Sequence, residues 1–196
     1  MRVLVVLAHP RPDSFNHALA RELCAGLAEA GHEADLADLY AEGFRPELDA
    51  ADFRIYEQGA TPPDIRAYQE RASAAQAMAF VFPVWWFSPP AMVKGFVERV
   101  FFEGFAFRFG RGGRVIGLLK HERALVLNTG GASSAMVQLF GFAKPMDQTF
   151  CEWTLKFCGI KEVRRVLFHG ITETSETERG RYLGEARRLG AEFFGK

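Results

Sequence analysis

Charge of one sign is the first thing this chain lacks: 24 basic residues stand against 24 acidic ones, for no formal net charge. A neutral domain is a poor partner for bulk nucleic acid or an anionic membrane surface, so neither is expected. Cysteine is sparse as well. Cys24, Cys151 and Cys158 form no CxxC pair, which argues for buried, reduced thiols rather than a disulfide framework, and so for a cytoplasmic location. No apolar run approaches the roughly 20 residues of a membrane helix. The N-terminus opens directly on a strand-like segment, without the pattern of a signal peptide. Several chemical signatures are also missing. There is no GxGxxG and no GxxxxGK, so neither a Rossmann dinucleotide site nor a nucleotide-hydrolysing P-loop is signalled. His17, His32, His121 and His169 are scattered without HxH or HExxH spacing, and no metal site is expected. No GxSxG marks a nucleophilic serine.

What the chain does have is an alternation of strand and helix patterns across 196 residues, 48% of them hydrophobic, which is one domain spanning 1–196. Arg2–Leu7 is continuous and β-branched, the pattern of a central strand buried on both faces. A helix is predicted over residues 14–30, with Phe15, Leu19, Leu23 and Leu27 at i+4 steps and Gly31 as its stop. Residues 33–39 form a more polar strand suited to a sheet edge, and residues 79–84, 123–127 and 163–168 supply three more strands. Pro89-Pro90 starts a helix with Met92, Phe96, Val97 and Val100 on its apolar face. Ser175-x-x-Glu178 is a capping box heading the last helix, which buries Tyr182, Ala186, Leu189 and Phe193. Residues 40–75 are expected to hold a loop and one or two short helices, and residues 101–122, rich in Phe and Gly, a long ordered loop. Five parallel strands with helices on both faces give an α/β, doubly wound, flavodoxin-like fold in strand order 2-1-3-4-5. Its ligand crevice lies between strands one and three.

Three loops converge on that crevice. In Phe82-Pro83-Val84-Trp85-Trp86-Phe87-Ser88-Pro89-Pro90, three consecutive aromatics stand at the carboxyl end of a buried strand. Aromatics beside exposed amides suit a flat heteroaromatic ligand, and a flavin ring is the natural candidate. The rival reading places Trp85, Trp86 and Phe87 in the core or at a dimer interface. The first loop, residues 9–16, enters a helix whose first amides, with the Ser14 hydroxyl, suit a phosphate. Ser14 would serve equally as a plain N-cap, and Asp13 is mildly unfavourable beside a phosphate. Asn128-Thr129-Gly130-Gly131 ends the fourth strand. Small residues there let a planar ligand approach the backbone and bond to freed amides; a tight strand-to-helix turn is the plain alternative. Arg108-Phe109-Gly110-Arg111-Gly112-Gly113-Arg114 reads as a solvated loop, or as a phosphate contact for a nicotinamide nucleotide, ahead of an RNA site.

At this point the chain resembles the NAD(P)H:quinone oxidoreductase family of the DT-diaphorase type. The resemblance runs through His9 with Ser14-Phe15-Asn16, Phe82-Pro83, Trp86-Phe87, Pro90-Ala91 and Lys94-Gly95. It continues with Glu98-Arg99-Val100-Phe101, Gly104-Phe105-Ala106-Phe107, Thr129-Gly130-Gly131 and Phe157-Cys158-Gly159, and so covers essentially the whole chain. It implies a flavin cofactor, NAD(P)H as hydride donor, a homodimer with active sites at its interface, and two-electron reduction of quinones. His9, Ser14, Phe15 and Asn16 would contact the pyrophosphate and adjoining nucleotide. Pro83, Val84, Trp85, Trp86 and Phe87, with Asn128, Thr129, Gly130 and Gly131, would hold the isoalloxazine ring. Trp86 and Phe87 would also wall the nicotinamide or substrate pocket. Phe107 and Phe109 fall where mammalian-type members carry two tyrosines capping the substrate, so two hydroxyls are absent. Residues 132–150 contain no Tyr or His where those members keep a Tyr/His pair near the flavin, which leaves proton supply to water or another group. The basic loop resembles bacterial members, and Ser14-Phe15-Asn16 favours FAD, with FMN as the other possibility.

The reading is therefore an NAD(P)H-dependent flavin oxidoreductase. A hydride passes by ping-pong from nicotinamide to flavin and on to a quinone, azo or nitroaromatic acceptor. The alternative is a flavin-binding, redox-sensing regulatory subunit of a membrane potassium efflux system, a part some relatives play. A one-electron carrier ranks last, because such carriers present a strongly acidic face that this neutral chain lacks.

Overall fold

A computed structural model of the protein describes residues 1–141 and 143–195; Phe142, inside the 132–150 segment discussed above, and Lys196 lie outside them. In chain order the elements are β1 (Arg2–Leu7), α1 (Phe15–Glu29), β2 (Glu33–Asp38), α2 (Ala50–Glu57), α3 (Pro63–Ala74), β3 (Ala77–Pro83) and α4 (Ala91–Val100). There follow β4 (Phe107–Phe109), β5 (Val115–Gly117), β6 (Arg123–Thr129), α5 (Ser134–Phe140), α6 (Ala143–Met146), a π-helical stretch Asp147–Lys156, β7 (Glu162–Phe168) and α7 (Glu176–Glu192).

β1 alternates Val3, Val5 and Leu7 with Leu4 and Val6, and both sets are buried. A strand with two apolar faces needs a layer on each side. Leu19, Leu23 and Leu27 of α1 and Ala186 and Leu189 of α7 cover the first face, with Val81, Leu125 and Leu127. Ile65 of α3, Phe96 of α4 and Phe150 of the π-helical stretch cover the second, with Phe80, Phe82 and Val126. The five main strands are parallel and ordered β2-β1-β3-β6-β7, the expected 2-1-3-4-5 when only main-sheet strands are counted. The polar β2 takes the edge, as its sequence requires. Helices α1 and α7 touch closely: a Cβ on Gly26 would stand 1.9 Å from the Arg187 carbonyl oxygen, so glycine is obligatory there.

Three expectations need correction. The buried face of α4 is Val93, Phe96 and Val100, with Met92 and Val97 only half-buried. The helix is rotated by Arg99, which is fully buried and donates to Asp52 (2.7 and 3.0 Å), to Asp64 (2.7 and 3.1 Å) and to the Arg45 carbonyl (2.8 Å). Burial would lower its pKa, but the two carboxylates outweigh it and hold the guanidinium above its usual value. Residues 101–122 are not all loop, because β4 and β5 form an antiparallel hairpin with Gly112 and Gly113 at positive φ (+70° and +75°) near its tip. Three-residue strands are too short to show a period of two. Finally, residues 134–140 and 143–156 are helical, where the sequence reading placed no element. Among the described residues, no helix is long and apolar enough to cross a membrane.

Candidate active site

β1, β3 and β6 end side by side, with Leu7 beside Val81 and Pro83 beside Thr129, so the loops leaving them share one rim. The Val84 amide donates to the Thr129 carbonyl at 2.7 Å. Beyond it, Trp85 and Ser88 exchange two backbone hydrogen bonds of 3.2 and 3.1 Å. This closes a two-residue turn whose central residues, Trp86 and Phe87, have φ of +50° and +59°. Positive φ at both centres marks the mirror-image hairpin turn, which ordinarily takes Asn-Gly. Bulky residues held there store strain on the order of 1–3 kcal/mol each, a cost found at ligand clamps. The turn lifts Trp86 clear of the protein, 93% exposed, whereas Phe82 inside the strand is fully buried. Trp85 and Phe87 are each about half exposed, and the Trp85 ring lies 6.2 Å from that of His9. None of the three aromatics is a core residue.

The turn faces a cavity of about 230 Å³. Trp86 and Phe87 form one wall, and Gly130, Gly131 and Ala132 another. Val137, Met146 and Leu167 supply apolar surface, and among the described residues Arg165 is the one charged side chain lining it. Gly130 has no positive φ, and a Cβ there would make only an ordinary 3.4 Å contact with Leu167. The Gly130 amide is not free, as expected from sequence, but donates to the Phe168 carbonyl at 2.9 Å. Among the described residues the Gly131 amide has no acceptor, and a Cβ on Gly131 would meet nothing within 4 Å. Smallness at these two positions thus serves the cavity rather than the fold.

The first loop is tied down from several sides. Ser14 caps α1, its Oγ accepting from the His17 amide, and it also lies 2.8 Å from His17 Nδ1, while His17 Nε2 lies 2.9 Å from Asp38 on β2. The Arg11 amide donates to His9 Nδ1 at 3.1 Å, and the same ring nitrogen lies 3.3 Å from the Arg11 carbonyl oxygen. Burial lowers the His9 pKa, a shift that its contact with the Arg11 carbonyl only partly offsets. Asp13 is paired with Arg11 at 3.1 and 2.9 Å, which removes its objection to a neighbouring phosphate.

Other expected site residues sit elsewhere. Asn16 is buried and its amide donates to Thr129 Oγ1 at 3.0 Å, so this pair joins the first and third loops instead of facing solvent. Phe15 packs against the α1 side of the core, and Pro83 is the last residue of β3, fully within the buried strand. Asn128 is fully buried and donates to the Phe82 carbonyl at 3.2 Å. β6 runs two residues beyond its expected end, which turns Asn128 inward. Phe107 and Phe109 contact each other at 5.7 Å, and Phe107 packs on Phe157 at 5.3 Å; neither lines the cavity of its own chain.

Arg165 was missed by sequence reasoning. Its side chain is 6% exposed, Nε donates to Asp147 at 2.6 Å and Nη2 to the Ala143 carbonyl at 3.1 Å. The alternation Val163, Arg165, Leu167 along β7 was the available signal, since it puts Arg165 on an inward face. His169, two residues past Leu167, has a buried Nδ1 with no partner among the described residues. Its pKa is lowered by burial first and then by the Arg165 charge.

The Flavodoxin_2 family, described by its flavodoxin-like fold, matches residues 1–189. NAD(P)H dehydrogenase (quinone) 1 of Rattus norvegicus is 32% identical over 211 residues, an overlap covering 96% of this chain and 76% of that protein. Ribosyldihydronicotinamide dehydrogenase (quinone) of Mus musculus is 32% identical, with 91% and 85% covered. The solved NAD(P)H:quinone oxidoreductase from Methanothermobacter marburgensis superposes with a TM-score of 0.91 at 31% identity, covering 98% of each chain.

Proposed function

The chain belongs to the Flavodoxin_2 family, which it shares with NAD(P)H:quinone oxidoreductases, and from that premise we propose that it is itself an NAD(P)H-dependent, flavin-dependent quinone reductase. The observation that carries the reading is that the strained Trp86-Phe87 turn and Gly130-Gly131 line one apolar cavity at the sheet's switch point. A flat ring fits there. The floor is open above Gly131, the aromatic wall offers stacking, and the Gly131 amide is available to a ring heteroatom. A bound flavin would supply hydride acceptor and donor chemistry. The chain's own residues bind, orient and exclude water.

In the first loop, Ser14 at the head of α1 and the His9 ring are suited to phosphate oxygens. Either FMN or FAD would present a phosphate there; the resemblance at Ser14-Phe15-Asn16 favours FAD. A quinone, azo or nitroaromatic acceptor would take the hydride at the face covered by Trp86 and Phe87. Several large apolar side chains remain on the surface, with Leu139 78% and Trp153 68% exposed, beside the half-exposed Phe109 and Phe157. Exposed apolar side chains of this size support a two-fold dimer, in which the β4–β5 hairpin of a second copy would cap the crevice with its Phe107 and Phe109.

The test is direct. Purified protein should be yellow, release FAD on denaturation as identified by mass spectrometry, and oxidise NAD(P)H with menadione. Protein that binds neither FAD nor FMN on titration would overturn the reading.

A further inference from the structure

The cavity assigned above to the flavin ring contains one charged side chain, and it is held in an unusual place. Arg165 lies on β7, paired with Val126 of β6 and 6% exposed. Burying a guanidinium is costly unless it is bonded, and two of its nitrogens are bonded, to Asp147 and to the Ala143 carbonyl. Among the described residues, Nη1 has no acceptor. The cation lines the cavity, while Asp147, half-exposed, does not. The pair is thus a dipole with its positive end toward the ring site. Two other titratable groups face Arg165, the Cys151 thiol from the π-helical stretch and His169 from the end of β7. Burial pushes the Cys151 thiol up to about 11 and lowers the His169 pKa, so both are uncharged at neutral pH. Asp147 is then the only ionised group opposing the arginine among the described residues.

Hydride transfer needs such a charge. The hydride leaves the dihydronicotinamide carbon with both electrons of its C–H bond, oxidising NAD(P)H to NAD(P)⁺. The acceptor ring gains two electrons and one proton, and so ends with one more negative charge than it began with. We propose that Arg165 supplies electrostatic stabilisation of that charge, a fixed buried cation that favours the reduced over the oxidised flavin and raises its reduction potential. This inference rests on the flavin reading above and concerns how that same site is tuned.

The experiment compares the midpoint potential of the flavin-loaded protein, measured by equilibration with reference dyes, in wild type, Arg165→Met, Arg165→Lys and Asp147→Asn. The affinity of each protein for oxidised flavin is measured in parallel by fluorescence titration. Arg165→Met should weaken binding of reduced relative to oxidised flavin about tenfold or more, read as a fall of about 30 mV for the two-electron couple. Arg165→Lys should restore most of that fall. Asp147→Asn, which removes only the opposing charge, should move the potential upward. An unchanged potential in Arg165→Met with oxidised flavin bound normally would overturn the proposal. Should Arg165→Met fail to fold, an unchanged or lower potential in Asp147→Asn would overturn it instead. Failure of the wild type to bind flavin would refute the functional reading itself, a separate and earlier outcome.

Discussion

Replacing Trp86 with Ala should leave the apoprotein close to wild-type stability while weakening flavin retention or slowing the hydride steps. Trp86 is 93% exposed, so truncation forfeits only about 7% of the roughly 150–250 Å² that a tryptophan can bury. At about 25 cal/mol per Å² that is roughly 0.3–0.4 kcal/mol. Its φ of +50° is unfavourable for alanine too, so Trp86→Ala keeps the backbone strain, and Trp86→Gly should gain stability by relieving it, by about 1 kcal/mol. Phe82→Ala is the contrast. Phe82 is fully buried, its ring 5.3 Å from that of Phe150 at 78°, and a core Phe→Ala change costs about 3–5 kcal/mol. In a domain of this size 1 kcal/mol shifts Tm by about 2–4 °C. Thermal melts of the apo forms should therefore show Phe82→Ala lower by roughly 6–20 °C and Trp86→Ala within about 2 °C of wild type. Apo forms are essential, because bound flavin adds its own stabilisation by mass action. If Trp86→Ala lost as much as Phe82→Ala, the turn would be part of the fold and Trp86 would cease to be a site residue.

Gly130→Val should fold normally, since φ there is not positive and a Cβ would only touch Leu167 at 3.4 Å; flavin titration should nonetheless show lost occupancy, and normal occupancy would make the Thr129-Gly130-Gly131 turn structural only. Asp52, although burial raises its pKa, is held below its ordinary value of 3.8 mainly by Arg99. Its contribution to stability is therefore present above that value and lost as pH falls through the lower, folded-state value, so urea midpoints of the wild type should drop below about pH 4 and those of Asp52→Asn should drop less; parallel profiles would exclude Asp52 as the cause. Burial pushes the Cys151 and Cys158 thiols up to about 11 and about 12, so neither should react with iodoacetamide at pH 8 until the protein unfolds, and mass spectrometry showing either labelled in the folded state would contradict that burial.

Much of the architecture was legible because single strands carried unambiguous constraints. The two apolar faces of β1 demanded a central position, the polar β2 demanded an edge, and together they fixed where the crevice opens. The loops at that crevice were legible for the same reason, since topology alone brings the ends of β1, β3 and β6 to one rim. What failed was finer. Asn128 was assigned to the site because β6 was ended two residues early, which put it in the loop rather than inside a buried strand. The burial of Arg99 was not legible, because nothing local says that Asp52 and Asp64, dozens of residues earlier, will enclose it.

Trp86, Phe87 and Arg165 were hard to place for a common reason that bears on function. Local preference would put Asn-Gly, not Trp-Phe, in a turn with two left-handed residues, and would leave Arg165, beside Arg164 on an outer strand, in solvent. Each position contradicts what its own sequence neighbourhood favours, and each contradiction is sustained by long-range structure: the Trp85–Ser88 bridge in one case, Asp147 and Ala143 in the other. A chain selected only for folding would have little reason to keep either. Local rules are broken where a ligand's requirements override them, and here the two violations line one cavity. On the proposed reading the aromatic turn would answer to a flat ring, and the buried cation to a charge that would appear on that ring only when it is reduced. Their coincidence in a single 230 Å³ space is therefore an argument for redox chemistry drawn from this chain's own energetics, independent of its relatives.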